Sequence, residues 1–393
     1  MIKTRWLTIP FLIALVILPR ISTDLYLPSV PNMGKFFHTN ASLLQMTLTT
    51  FMFGYALSVL ITGPLSDVFG RKKIALYGLF IYAIATLYCA LSSSIEALII
   101  ARFFQALGGG CGTVIARVIV KDSYAKNQQI HMLAYLSAAM GICPLCIPIL
   151  GGTLDFYLGW QAVFYALEIF AIALLIMVLY QVQQNSIKLP RIKLKDLMGH
   201  YNYILTHRIF LGYSLTIGLA WSGYMVFTVE SPFLLQQNMH LNAVLFGCLF
   251  ALAVVGYLIG TQLTKRFANQ IGWDKLIFIA ALSCLSGALI MFVLAELFEP
   301  RWFMLIFPML LIMMGVGIII PCTQAAVLQP FPEITGTASG LFFFIQMLFG
   351  GICSLIVQLF SDHSMQTVSL FLLSISSLLI ISFYQIIGLK KND

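Results

Sequence analysis

The chain has 393 residues; 60% are apolar and only 9% are Asp, Glu, Lys or Arg, with a mean hydropathy of +0.95 and a net charge of +8. An ordinary water-facing surface needs about 25% charged residues, so the composition excludes a soluble enzyme, a disordered chain and a disulfide-stapled secreted scaffold. An integral membrane protein remains, with room for about a dozen helices at roughly 20 apolar residues per span.

Apolar windows predict twelve spans in chain order: 7–27, 42–64, 74–93, 97–119, 131–153, 161–182, 208–230, 242–264, 275–297, 303–327, 337–360 and 367–388. The first follows Lys3 and Arg5 as a secretory signal would. It has no small-residue cleavage site and runs past Leu18 into more membrane sequence, which predicts a retained helix. The longest polar connection, 183–207, carries Lys188, Arg191, Lys193 and Lys195. It divides the chain into six spans over 1–182, a cytoplasmic linker over 183–207, and six spans over 208–393. With the N-terminus inside, only Lys35 and Arg301 of the 22 basic residues fall in outer loops, and Arg20 and Arg102 lie within spans. The rest fall on the inner side, which places both termini in the cytoplasm.

Polar residues inside the spans carry the functional expectations. In the first span Arg20 and Asp24 are four residues apart and share a helix face, with Tyr26, Pro28 and Pro31 following. An acid in a partly dry cavity exchanges its proton when hydration and partners change. Arg20 has two open readings, a partner for Asp24 or a contact for an anionic substrate. After the second span comes Gly63-x-Leu65-x-Asp67-x-x-Gly70-Arg71-Lys72-Lys73. Gly63 and Gly70 suit a tight turn and close helix approach. The three cations suit the membrane face, and Asp67 is an isolated anion suited to a switchable pairing. The fourth span holds Arg102-Phe-Phe-Gln105-Ala-Leu-Gly108. A buried arginine costs at least about 2.5–3.5 kcal/mol unless paired or wet, so Arg102 is expected to face a polar interior.

In the fifth span Pro148, Gly151 and Gly152, followed by Gly159-Trp160-Gln161, allow a kinked, closely packed helix. Cys143 and Cys146 in that span form a C-x-x-C without a histidine beside them and read as packing residues. Glu168 in the sixth span is either a second protonatable site or a hydrogen bonder between helices. In the seventh, Trp221, Tyr224 and Phe227 precede Glu230, which is expected at the outer boundary in contact with water. Phe51, Tyr55, Tyr224 and Phe342 to Phe344 are candidates for lining an apolar cavity. No metal-ligand spacing or nucleophile–base cluster occurs, and the glycine run at 108–110 lacks the Gly-Lys-Ser/Thr of a phosphate loop. No enzyme activity, cofactor, metal or nucleic-acid partner is expected. The halves read as weak repeats: Asp24-Leu-Tyr-Leu-Pro28 matches Thr228-Val-Glu-Ser-Pro232, and the basic loop after the eighth span matches that after the second, with Lys265 where Asp67 would align. Two such halves suit a carrier with its site between them.

The Gly63–Lys73 loop resembles the signature of the major facilitator superfamily, in which the acid, here Asp67, docks against the start of the eleventh helix. That start falls near Thr335 to Thr337, where the helix dipole favours an anion. The Arg102–Gly108 stretch resembles the superfamily's second signature, with Ala106 in place of Gly. Asp24-x-Tyr26-Leu-Pro28-x-x-Pro31, Ala116–Asp122 and Ser231-Pro232-Phe233 resemble the Bcr/CflA drug-resistance group, in which the first acid is linked to proton coupling. The fifth span resembles the antiporter signature, with Ile147 for Gly and Gln161 for Arg. The resemblance covers nearly the whole chain and implies an all-α fold of two six-helix bundles in a bacterial inner membrane. It implies monomeric, proton-coupled export of small amphipathic compounds by alternating access. The roles assigned are proton coupling at Asp24 and Arg102, substrate contacts at Arg20, Tyr26, Tyr55 and Tyr224, gating at Gly63, Asp67, Gly70 and Arg71, and an antiporter-like helix with Pro148, Gly151 and Gly152. Two alternatives stand beside this: a carrier for an anionic metabolite such as a siderophore, and a non-transporting membrane receptor or assembly factor.

Overall fold

The computed structural model describes residues 8–182, 194–331 and 334–392. The chain divides into two helical units, Met1–Leu197 and Met198–Asp393. The first contains α1 (Thr8–Asp24), a 3-10 turn (Leu27–Ser29), α2 (Val30–Phe37), α3 (Ala41–Phe69), α4 (Arg71–Leu91), α5 (Ile95–Ser123), α6 (Lys126–Leu158) and α7 (Trp160–Gln181). Helix α8 (Leu194–Thr206) follows, then α9 (Arg208–Pro232), a π-helical turn (Phe233–Asn238), α10 (Ala243–Ile271), α11 (Trp273–Leu297), α12 (Trp302–Leu328), α13 (Thr335–Phe360) and α14 (Met365–Asn392). Among the described residues twelve helices are long and apolar enough to cross a membrane, the first running from Ile9 through the break to Phe37. Residues 183–193 of the expected linker, with Lys188, Arg191 and Lys193, lie outside the described residues, as do Lys3 and Arg5. The remainder of the linker is α8.

The helices form because lipid offers no partner for a free peptide group, so each apolar run must satisfy its backbone internally. Their ends are set by local chemistry. The Asn40, Ser94 and Asn242 side chains accept from Leu43, Ala97 and Leu245 backbone N–H groups and cap α3, α5 and α10. Gly70 (φ 93°) and Gly272 (φ 84°) are single-residue junctions from α3 to α4 and from α10 to α11. Outward faces are apolar at helical spacing: Tyr77, Phe80, Ile84, Leu87, Tyr88 and Leu91 of α4 are all exposed.

The internal repeat is clearer in the structure than in the sequence. His38 and His240 both adopt left-handed backbone, each two residues before a capping Asn, and each Asn starts a 29-residue helix ending at a positive-φ glycine. This register places Asn269 opposite Asp67 and Lys265 opposite Gly63, correcting the alignment of Lys265 with Asp67. Packing repeats as well. A Cβ on Gly54 would lie 2.3 Å from the Phe103 carbonyl oxygen, and one on Gly256 would lie 2.1 Å from that of Leu310. The second and fourth helices of each bundle therefore meet backbone to backbone, as small residues permit in membranes. Gly63 departs from its expected role. It lies inside α3 rather than in a turn, and a Cβ there meets nothing within 4 Å. The turn belongs to Gly70 alone.

Gly54→Ala and Gly256→Ala should each destabilise their bundle by about 1–3 kcal/mol, because the facing atom is backbone and cannot swing away. Gly63→Ala should be neutral or slightly stabilising. Thermal unfolding of the three detergent-purified variants checks the contrast.

Candidate functional site

Asp24 is the last residue of α1, at the point where Pro28 and the 3-10 turn interrupt the first span. The helix carries Arg20 one turn back, and Arg20 Nε donates to Asp24 Oδ2 at 2.8 Å. Asp24 is fully buried, and its Oδ1 has no hydrogen-bond partner among the described residues. The break is clamped by α6. A Cβ on Gly151 would lie 2.2 Å from the Leu25 carbonyl oxygen, so only glycine lets α6 lie against the chain just past Asp24. Pro148 and Gly152 are buried in the same helix. At its far end Asp155 accepts from Asn32 Nδ2 at 2.6 Å, tying α6 to α2.

Arg102 of α5 is fully buried and forms no ion pair among the described residues. Its guanidinium carbon lies 4.4 Å from the Tyr26 ring centre and 4.3 Å from that of Phe51, a cation held between two aromatic faces. One Nη donates to the Ser22 carbonyl (3.2 Å) and to Gln105 Oε1 (2.6 Å), while Nε and the other Nη have no hydrogen-bond partner among the described residues. Gln105 Nε2 donates to the Thr86 hydroxyl (2.8 Å), and the Ser22 and Tyr82 hydroxyls share a hydrogen bond at 2.7 Å. Tyr26 shares one with Thr47 at 2.6 Å. Four helices, α1, α3, α4 and α5, thus meet at one cation. Asp24 and Arg102, expected to act together, are not bonded to each other; they are linked through the short α1 segment Ser22–Tyr26.

The other expected residues are distributed as follows. Tyr26 is buried, its ring on Arg102 and its hydroxyl on Thr47. Tyr55 is nearly buried and hydrogen-bonds Thr113 at 3.1 Å. Tyr224 lies in the second unit, its ring 4.9 Å from that of Trp221. Asp67 is not an isolated anion: it is ion-paired with Arg71, whose Nε also reaches Asp122 at 3.1 Å. Glu168 is partly buried, and its Oε2 has no hydrogen-bond partner among the described residues. Glu230 departs most from expectation. It is fully buried rather than water-facing, and its Oε2 lies 2.9 Å from His363 Nδ1. Sequence reasoning passed over Ser22, Tyr82, Thr86, Asp155 and His363, and gave Asp122 no pairing role. Single polar residues in apolar runs were the available signal, but their partners are distant in the chain.

Twelve membrane-crossing helices in two repeated bundles, with ionisable groups held inside them, define a multi-pass membrane carrier. The chain belongs to the Major Facilitator Superfamily, whose sequence pattern matches residues 12–354. It is 27% identical to multidrug resistance protein D of Escherichia coli (strain K12), over 87% of this chain and 86% of that one. It is 25% identical to a bicyclomycin resistance protein homolog of Haemophilus influenzae, over 97% and 95%. In fold it matches the crystal structure of a D-xylose–proton symporter with a TM-score of 0.77 at 14% identity, covering 95% of this chain and 97% of that one. The protein is therefore a small-molecule transporter rather than an enzyme, and it resembles the drug-resistance group.

Arg102 offers a direct test of structure against function. Replacing an unpaired buried cation by an apolar side chain of similar length is often neutral or stabilising. Arg102→Met should unfold at the same temperature as the parent or higher, yet lose transport. Loss of folding together with transport would make Arg102 a structural residue.

Proposed function

We propose that the protein exports small amphipathic compounds in exchange for protons, by alternating access, as a monomer in a bacterial inner membrane with both termini in the cytoplasm. One observation carries the reading: Asp24 is a fully buried carboxylate with one oxygen on Arg20 and the other without a hydrogen-bond partner among the described residues. Keeping an ionised carboxylate there is costly unless its cation stays in place. Displacing Arg20 and protonating Asp24 are therefore coupled events, and a carrier driven by protons needs such a coupling. The drug-resistance relatives and the basic residues on the terminal side of the membrane support the substrate class and the orientation. The anionic-metabolite reading is less well supported. Arg20 is engaged by Asp24, and Arg102 by Gln105 and two aromatic rings.

Asp24→Asn should insert normally and abolish uphill transport in proteoliposomes under an imposed pH gradient; unchanged uphill transport would remove Asp24 from coupling. Arg20 separates the two substrate readings. If it serves Asp24, Arg20→Gln leaves the carboxylate without its cation, and the pH profile of transport moves upward with substrate preference intact. If it holds an anionic substrate, Arg20→Lys loses the planar two-pronged donor geometry. Affinity for anions then falls while the pH profile stays in place.

A further inference from the structure

We propose that Glu230 and His363 form a proton-binding site in the second bundle, separate from Asp24, whose proton holds the α13–α14 loop onto the end of α9. Glu230 sits one turn before the π-helical segment and is 0% exposed, whereas the His363 side chain is 23% exposed and borders the loop's water-facing side. Their atoms are 2.9 Å apart. The imidazole also stacks on Phe233, with ring centres 5.1 Å apart and planes at 28°. A charged imidazole seated here has the Glu230 carboxylate within ion-pair distance and the Phe233 ring against its face. The backbone is drawn in as well. Asn238 of the π-turn donates to the His363 carbonyl at 2.7 Å, the Ser361 hydroxyl accepts from the His363 N–H at 3.1 Å, and His363 is in left-handed backbone at φ 59°.

The surroundings leave this pair as the candidate for proton uptake at this end. Helices α12 and α13, and α14 up to Tyr384, pack against α9 and carry no Asp, Glu, Lys, Arg or His; their remaining ionisable side chains are Cys322, Cys353 and Tyr384. Other groups at this end are His240, which is exposed, Glu296 in the last turn of α11, Glu299 after that helix, Arg301 before α12, and Asp362. Hydrogen bonds from Ser364 and Thr367 push the Asp362 carboxyl down to about 2, so it stays ionised near neutral pH. Histidine is the side chain type suited to change charge between about pH 5 and 8. Release of the loop parts the imidazole from the carboxylate, so a charged imidazole loses its ion pair on release. Seating is then favoured as pH falls and lost as pH rises. The proton comes from water on the loop side, adds to the imidazole and leaves the same way.

Hydrogen exchange of the full chain in lipid nanodiscs tests this, reading the amides of 361–364 and 236–240 with correction for intrinsic rates. From about pH 5 to 8, protection in the parent should fall about tenfold. Glu230→Gln and His363→Asn should each abolish that slope; asparagine keeps the left-handed backbone accessible. Flat protection in the parent, or a slope that survives in His363→Asn, would overturn the proposal even if Glu230→Gln fails to fold. Because loop protection rather than transport is read, failure here is distinguishable from failure of the export reading.

Discussion

Lipid supplies no hydrogen bonds, and this constraint shapes every polar residue in the twelve spans. A charged or hydroxyl group inside a helix must find a partner within the protein or stay costly. The first bundle answers by gathering its polar groups. Ser22, Tyr82, Thr86 and Gln105 come from three helices and converge on one arginine. Serine and threonine hydroxyls elsewhere fold back onto the carbonyl one turn earlier, as Thr216 and Thr323 do. Some polar atoms do neither: Asp24 Oδ1 has no hydrogen-bond partner among the described residues.

The same constraint explains why the glycines matter. Without a hydrophobic force between helices in lipid, association depends on close packing. Gly54, Gly256 and Gly151 allow carbonyl oxygens to approach where any Cβ would collide. In the case of Gly151 the approach is to the broken end of the first span. Helix α6 therefore packs against the chain between Asp24 and Tyr26.

The fold was largely legible because hydropathy and span length speak directly to membrane crossing. The twelve windows, the superfamily loop and the Arg20–Asp24 turn could all be read from local spacing. What was not legible depended on partners far apart in sequence. Glu230 lies two residues before Pro232 near a span end, and local pattern suggests exposure there; in the structure it is buried and its carboxylate contacts His363, 133 positions away. Gly63 looked like a turn residue because it opens a motif, but backbone conformation assigns the turn to Gly70. The repeat register was misread for a similar reason. Sequence identity between the loops is weak, whereas the His, Asn cap and glycine junction recur in space.

The two bundles share a scaffold but have diverged in chemistry, and the divergence is informative. Each bundle keeps one acid shortly before a proline near the end of its first helix: Asp24 four residues before Pro28, and Glu230 two residues before Pro232. In the first the acid meets an arginine from its own helix; in the second it meets a histidine from a loop. An arginine stays charged at any physiological pH, so only the carboxylate can change state in the first pair. In the second pair the base can change as well. On the proposed readings, the first arrangement ties protonation to the displacement of a fixed charge within a helix, and the second ties it to the seating of a loop. Two halves built on one scaffold would then respond to protons by different physical means, without altering the helices that both halves share.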